Sequence, residues 1–468
     1  MSRAAIIGGG VIGGGWAARF LLNGWDVAIY DPDPEAARKI NDVLAGARRA
    51  LPMLYDRALP AEGELTFCET LEDAVTGAIW IQESVPERLA LKQSILKSLQ
   101  DTVSERAVIG SSTSGFKPSD LQKGAMRPGQ IIVTHPFNPV YLIPLVEVVG
   151  SAANDDAFLT AAEATLTQLG MFPLRVRAEI DAHIADRLLE AVWREALWLV
   201  SDGIATTEDI DNAIRYGFGL RWAQMGLFET YRIAGGEAGM THFMEQFGPA
   251  LSWPWTKLMD VPEFTPELVD LIASQSDQQS GALDIRALER LRDDNLVALM
   301  RALKQRDAAA GALLNAHEAT LGKPQTAVPL VSVRRVIPVD WTDYNGHMNE
   351  GRYGQVFSDA ADAVMAEIGA DAAYIAGGLS YFTVETTINY LIETHAGEAV
   401  EVHSRITLAD GKKLRIWHEM IRRADGVVLA NCDQFLLHVS LETRASCPPA
   451  PQVLARLDAL VKQHGATE

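Results

Sequence analysis

The sequence predicts an α/β domain with a parallel sheet, then an all-α domain, then an α+β domain. Three observations carry this. A short apolar run opens into a glycine-rich turn close to the N-terminus. Strand-like runs then alternate with helical stretches as far as about residue 180. Beyond that come long amphipathic helices to about Leu321, and after them β-branched runs and turns dominate to about Ser440. The 468 residues are enough for about two to four domains with their own cores.

The first element, Ala4-Ala5-Ile6-Ile7, suits a buried parallel strand and leads directly into Gly8-Gly9-Gly10-Val11-Ile12-Gly13. Gly8, Gly10 and Gly13 have the spacing of a Rossmann phosphate-binding turn. The first permits the tight turn, the second lets backbone N–H groups approach a pyrophosphate, and the third lets the helix pack on the strand. The phosphates would then face the helix start at Val11 and Ile12. A second strand, Asp26–Tyr30, ends at Asp31, where an acidic residue accepts hydrogen bonds from ribose hydroxyls. Asp31 therefore selects NAD over NADP, since a 2′-phosphate would meet a negative charge with only Arg38 nearby to compensate.

Three further runs each end at a polar segment. Ile79-Trp80-Ile81 precedes Glu83-Ser84-Val85-Pro86-Glu87, in which Glu87 is a candidate cofactor contact. Ala107-Val108-Ile109 precedes the serines up to Ser114, and Ile131-Ile132-Val133 precedes His135-Pro136-Phe137-Asn138-Pro139. In open α/β sheets ligands bind past the carboxyl ends of the strands, where these segments fall. An imidazole that takes a hydroxyl proton needs a group to fix its tautomer and stabilise its cation, and Glu147 is the candidate orienter for His135. From Ile184 the pattern is helical, including Asp186 through Val200, with turns at Gly203, Gly217 and Gly235-Gly236. Residues 321–326 read as a linker. The expected domains are 1–182, 183–322 and 328–468.

A net charge of −20 argues against nucleic acid or an anionic membrane as partner. Cys68, Cys432 and Cys447 form neither a close pair nor a metal-ligand pattern, so the expectation is a reducing compartment without disulfides or metal. There is no signal peptide pattern and no apolar run of membrane-spanning length, which points to the cytoplasm.

On Gly8 to Gly13, Asp31, Glu83 to Glu87, Ser114, His135 to Pro139 and Leu145-Val146-Glu147-Val148, the first roughly 310 residues resemble the 3-hydroxyacyl-CoA dehydrogenase family. The resemblance implies that His135 is the general base, that Glu147 pairs with it, and that Ser114 and Asn138 contact the substrate oxygen. Asp186 departs from the pattern, standing where the family usually has asparagine. The helix Asp186-Arg187-Leu188-Leu189-Glu190-Ala191-Val192-Trp193-Arg194-Glu195 resembles the carnitine-oxidising branch. That branch acts on a free 3-hydroxy acid bearing a trimethylammonium group. A quaternary ammonium is held by aromatic faces and negative charge. Trp193, Trp198, Tyr216, Phe218, Trp222, Phe228 and Tyr231, with Asp186 and Glu190, supply both residue types, although aromatics at helical spacing are more often core.

The segment Val339-Asp340-Trp341-Thr342-Asp343-Tyr344-Asn345-Gly346-His347-Met348-Asn349, followed by a helix to about Ile368, resembles hot-dog thioesterases of the 4-hydroxybenzoyl-CoA type. That resemblance implies Asp343 as nucleophile or general base, with His347-Met348-Asn349 beginning the central helix. From the residues alone, Asp343 equally suits a turn with Asn345-Gly346. Together the resemblances imply small-molecule substrates (L-carnitine and an acyl-CoA thioester such as betainyl-CoA), NAD as cofactor and a homodimer. The alternative is a 3-hydroxyacyl-CoA dehydrogenase joined to an acyl-CoA thioesterase or to an inactive hot-dog assembly module.

Overall fold

In the computed structural model, which describes residues 2–234, 243–245, 256–257, 263, 265–280, 282–321 and 330–464, the apolar N-terminal run is strand β1 (Arg3–Ile7). Ala4, Ala5 and Ile6 are fully buried, as expected for a strand covered on both faces. The turn expected at Gly235-Gly236 and the linker residues after Leu321 lie outside the described residues. Seven more strands join β1: β2 (Asp26–Tyr30), β3 (Leu65–Phe67), β4 (Trp80–Glu83), β5 (Val108–Ser111), β6 (Ile131–Pro136), β7 (Leu145–Val149) and β8 (Phe172–Val176). The sheet order is β3-β2-β1-β4-β5-β6-β7-β8. Every neighbouring pair is parallel except β6 with β7. Strand order reverses direction at β1 and β4, so their carboxyl ends open the crevice in which such sheets bind ligands.

The helix Val11–Leu22 follows the glycine turn and braces a second loop. Arg19, almost wholly buried, donates from Nε to the Val140 carbonyl at 3.0 Å and from Nη2 to the Leu142 carbonyl at 3.2 Å. Gly15 permits this approach, because a methyl there would lie 2.8 Å from the Val140 Cβ. The segment after His135 is thereby held against the helix that carries the phosphate turn. The helical part follows with Ala185–Ser201, Thr207–Ala213, Gly219–Ala234, Pro266–Ser280, Ile285–Gln305 and Ala310–Thr320. Tyr141 donates to Asp293 of the Ile285–Gln305 helix at 2.7 Å.

The chain divides into two units, residues 1–48 with 61–317 and residues 49–60 with 318–468. The second contains β9 (Leu330–Val336), β10 (Leu379–Tyr390), β11 (Ala399–Asp410), β12 (Lys413–Arg422) and β13 (Val428–Ser440) in the antiparallel order β10-β13-β12-β11-β9. The helix Glu350–Ile368 buries Tyr353, Val356, Phe357 and Ala360 in a core with Val400, Val402, Met420 and Cys432. One long helix packed on an antiparallel sheet is the α+β hot-dog arrangement. Its start differs from expectation. Asn349 is the N-cap, its side chain accepting from Gly351 N–H at 3.0 Å, and the helix begins at Glu350. His347 and Met348 instead make bridges with His395 and Thr342, because the Asp343–Gly346 turn folds that segment back as a short ribbon. Residues 49–60 join this unit through the buried Leu51, Met53 and Leu54, and Arg335 donates to the Asp56 carbonyl at 3.2 Å.

Candidate active sites

The crevice of the parallel sheet fits a dinucleotide. Gly8 has φ +106° and lies so close to Ser84 that any side chain would strike its carbonyl; at Gly13 a methyl would sit 1.9 Å from the Gly8 oxygen. At Gly10, by contrast, a methyl would meet no protein atom within 4 Å, so the space above this backbone is open to a ligand. Gly10 is also the N-cap of the helix, with no side chain occupying the amides at Val11 and Ile12. A helix start left open in this way attracts phosphate. At the end of β2, Asp31 accepts from the Gly9 amide and, at 2.7 Å, from the Asp33 amide. Its carboxylate is therefore fixed before any ribose arrives. Arg38 is engaged with Glu35 at 2.8 Å and Asp42 at 3.1 Å.

Beside this cleft the antiparallel pairing of β6 and β7 sets His135 directly opposite Glu147. His135 Nδ1 lies 2.9 Å from Glu147 Oε2, and both residues are buried. The other carboxylate oxygen, Oε1, accepts from the Ile184 amide at 2.8 Å and the Ala185 amide at 2.9 Å, at the start of the Ala185–Ser201 helix. Burial alone would raise the Glu147 carboxyl, but the His135 hydrogen bond and the two amides outweigh it and hold the group below the usual carboxylate range. An ionised carboxylate only accepts, so Nδ1 donates to it, and Nε2 is the nitrogen left for a proton in transit. Asp186 Oδ2 lies 3.7 Å from that nitrogen.

Ser114 and Asn138 are exposed in the loops past β5 and β6, and their side chains have no protein hydrogen-bond partner among the described residues. Glu87 Oε1 accepts from the Thr113 hydroxyl and, at 3.2 Å, from the Gly115 amide, so it shapes the loop that carries Ser114. The candidate aromatics Trp193, Tyr216 and Phe228 are exposed, Phe218 packs at a tilt on Trp222 with centroids 4.5 Å apart, and Trp198 sits under Lys257. Glu190 pairs with Arg194 at 3.8 Å. The rings beside His135 are Phe137, at 4.9 Å between centroids, and His183, at 5.5 Å.

His183 and Lys92 were not foreseen. His183 is fully buried with φ +52°, and its Nε2 lies 3.3 Å from the Thr113 carbonyl. Burial and the neighbouring His135 push its imidazole down, which keeps it neutral. Lys92 is buried against Glu83 at 2.8 Å, and Glu83 also accepts from Ser111 Oγ at 2.5 Å and the Val85 amide at 2.7 Å. This paired charge cross-links the ends of β4 and β5. The sequence signal for Lys92 was its i+5 spacing from Glu87 at a helix start, too weak to separate from a solvated lysine.

In the second unit Asp343 Oδ1 accepts from the Asn345 amide at 2.8 Å and the His347 amide at 3.3 Å, and Gly346 takes φ +78°. Asp343 thus forms the turn that positions it, with its carboxylate partly accessible and His347 packed edge-on against His395 at 4.9 Å.

Residues 3–180 match the model of the 3-hydroxyacyl-CoA dehydrogenase NAD-binding domain, residues 183–264 that family's C-terminal domain, and residues 337–457 the thioesterase-like superfamily. The fold and the two sites thus define an NAD-dependent dehydrogenase carrying a thioesterase domain. The L-carnitine dehydrogenase/betainyl-CoA thioesterase of Ruegeria pomeroyi is 62% identical over 98% of this chain and 95% of its own. The L-carnitine dehydrogenase of Mesorhizobium japonicum is 56% identical over 71% of this chain and 93% of its own. Among solved structures, an NAD+-dependent pyridine-carboxylic acid 5-dehydrogenase is 25% identical with a TM-score of 0.55, covering 65% of this chain and 99% of that one. The chain belongs to the 3-hydroxyacyl-CoA dehydrogenase family, in the group whose members carry a fused thioesterase domain.

Proposed function

We propose that the first unit oxidises L-carnitine to 3-dehydrocarnitine and that the second hydrolyses betainyl-CoA to glycine betaine. The observation that carries the first reading is the His135–Glu147 hydrogen bond of 2.9 Å, which leaves the imidazole Nε2 free to accept a proton. The Gly8–Gly13 turn, Asp31 and Glu87 would hold NAD+, which would supply the hydride acceptor. His135 takes the substrate hydroxyl proton on Nε2 as the hydride leaves C3, and Glu147 stabilises the imidazolium that results. Ser114 and Asn138 orient the substrate oxygen; their exposure and lack of protein partners support this. One hydroxy acid and one NAD+ give one keto acid, NADH and a proton. In the second unit Asp343 acts on the thioester carbonyl, as nucleophile or as the base that activates water.

We assign cofactor binding to residues 1–182, the helical substrate part to 183–322 and thioester hydrolysis to 328–468. No helix of the described residues is long and apolar enough to cross a membrane. We place the protein in the cytoplasm as a homodimer. The free cysteines fit a reducing compartment, and the exposed Leu188, Leu189 and Trp193 on one helix fit a subunit interface.

The test is a substrate comparison with purified full-length protein. NADH formation from L-carnitine but not from 3-hydroxybutyryl-CoA, together with CoA release from betainyl-CoA, is expected. Oxidation of the thioester alone would instead identify a 3-hydroxyacyl-CoA dehydrogenase. Absence of thioester hydrolysis would make the second unit an assembly module. Replacing His135 by Gln should lower kcat by at least about a hundredfold while NADH still binds, which fluorescence titration would report.

A further inference from the structure

Among the described residues, Asp186 is the one carboxylate paired with the base's reactive nitrogen, and no hydrogen bond occupies it. It stands in the first turn of the Ala185–Ser201 helix, a position where a carboxylate commonly caps the free amides. Here Glu147 has taken that role from another strand, accepting both the Ile184 and the Ala185 N–H, and the helix has no side-chain cap of its own. No hydrogen bond reaches Asp186 from the described residues. Its side chain is 19% exposed, and its Oδ2 lies 3.7 Å from His135 Nε2, beyond hydrogen-bond range. Burial pushes its carboxyl above the usual range, as it does for a carboxylate without donors.

We propose that Asp186 is the counter-ion for a quaternary ammonium bonded to the carbon next to the substrate's hydroxyl-bearing carbon, and so the residue that selects this substrate class. The inference rests on the reading of the first unit as a dehydrogenase of a free 3-hydroxy acid. Its geometry is simple. The substrate hydroxyl sits within hydrogen-bond reach of Nε2, about 3 Å away. In either staggered rotamer the ammonium nitrogen lies roughly 3 to 4 Å from that oxygen. These distances bring the cation within reach of Asp186 Oδ2. A quaternary ammonium has charge but no N–H, so it suits a carboxylate that is offered no hydrogen bonds and is partly withdrawn from water. An asparagine here would supply an amide dipole in place of the charge, which suits a substrate without a cation.

The experiment compares kcat/KM for L-carnitine with that for its neutral isostere, in which carbon replaces the ammonium nitrogen. In Asp186→Asn the ratio should fall at least about tenfold, with carnitine bearing the loss and NADH titration unchanged. An equal loss on both substrates overturns the proposal and places Asp186 on the proton's route from His135. An unchanged ratio overturns it as well. If the variant does not fold, the native enzyme with NADH bound is titrated with choline and with choline's carbon isostere. Preference for choline by at least about tenfold supports a counter-ion, and equal inhibition overturns it. Failure of the native enzyme to oxidise carnitine overturns the substrate reading alone, since the choline preference and its loss in Asp186→Asn still report on the counter-ion.

Discussion

Glu147 holds three partners with two oxygens, so its substitutions separate catalysis from folding. Glu147→Gln keeps an acceptor for the Ile184 and Ala185 amides but removes the charge that stabilises the imidazolium. Turnover should fall by roughly a hundredfold, as steady-state assays of NADH formation would measure. Glu147→Ala also orphans the two amides and should cost a further 1 to 3 kcal/mol or about that in urea unfolding. The native carboxyl is held low, so its contribution to stability is complete at neutral pH and is lost as acidification passes below its usual value of 4.5. His135 and Glu147 were legible in the sequence because both flank one short connection. Their cross-strand register was not, since the strand pairing reverses there alone in the sheet. His183 was illegible for a different reason: its burial against Thr113 depends on a contact spanning 70 positions.

At the scale of an element, the hot-dog sheet contains a polar chain that crosses four strands. Ser332 Oγ and Ser404 Oγ are 2.6 Å apart, Ser404 Oγ and His418 Nδ1 are 2.7 Å apart, and His418 Nε2 lies 3.2 Å from Gln434 Oε1. All four residues are buried. Strand β12 alternates, with Leu414, Ile416, His418 and Met420 on its inner side, so the period of two puts His418 among apolar positions. What the pattern lacked was the partners, which come from other strands. Burial pulls the imidazole from 6.5 down to about 4. Between those values the unfolded chain binds a proton that the native one refuses, so stability falls as pH drops from 6.5 towards 4 and is fully present above that window. The loss approaches about 3 kcal/mol. Hydrogen exchange of β12 and β13 amides at neutral pH and near pH 5 should show it, and His418→Gln should flatten the difference.

For the whole molecule, the two reactive centres lie in separate units built on unrelated sheets, one parallel with a single reversal and one antiparallel throughout. Substitutions should therefore act crosswise. Asp343→Ala is expected to abolish CoA release while leaving NADH formation essentially unaltered, and His135→Gln the reverse, as parallel assays of both variants would measure. The succession of α/β, helical and α+β parts was readable from changes of hydrophobic period along the chain. The membership of residues 49–60 was not, because they follow the helix Ala36–Ala50 in sequence but pack by burying Leu51, Met53 and Leu54 elsewhere.

That borrowed strap makes the hydrolase half something other than a cassette. A gene severed anywhere between the Ala310–Thr320 helix and β9 would encode a fragment whose Arg335 guanidinium lacks the Asp56 carbonyl and whose neighbouring apolar surface lies bare to solvent. Recombination at the apparent joint would be punished.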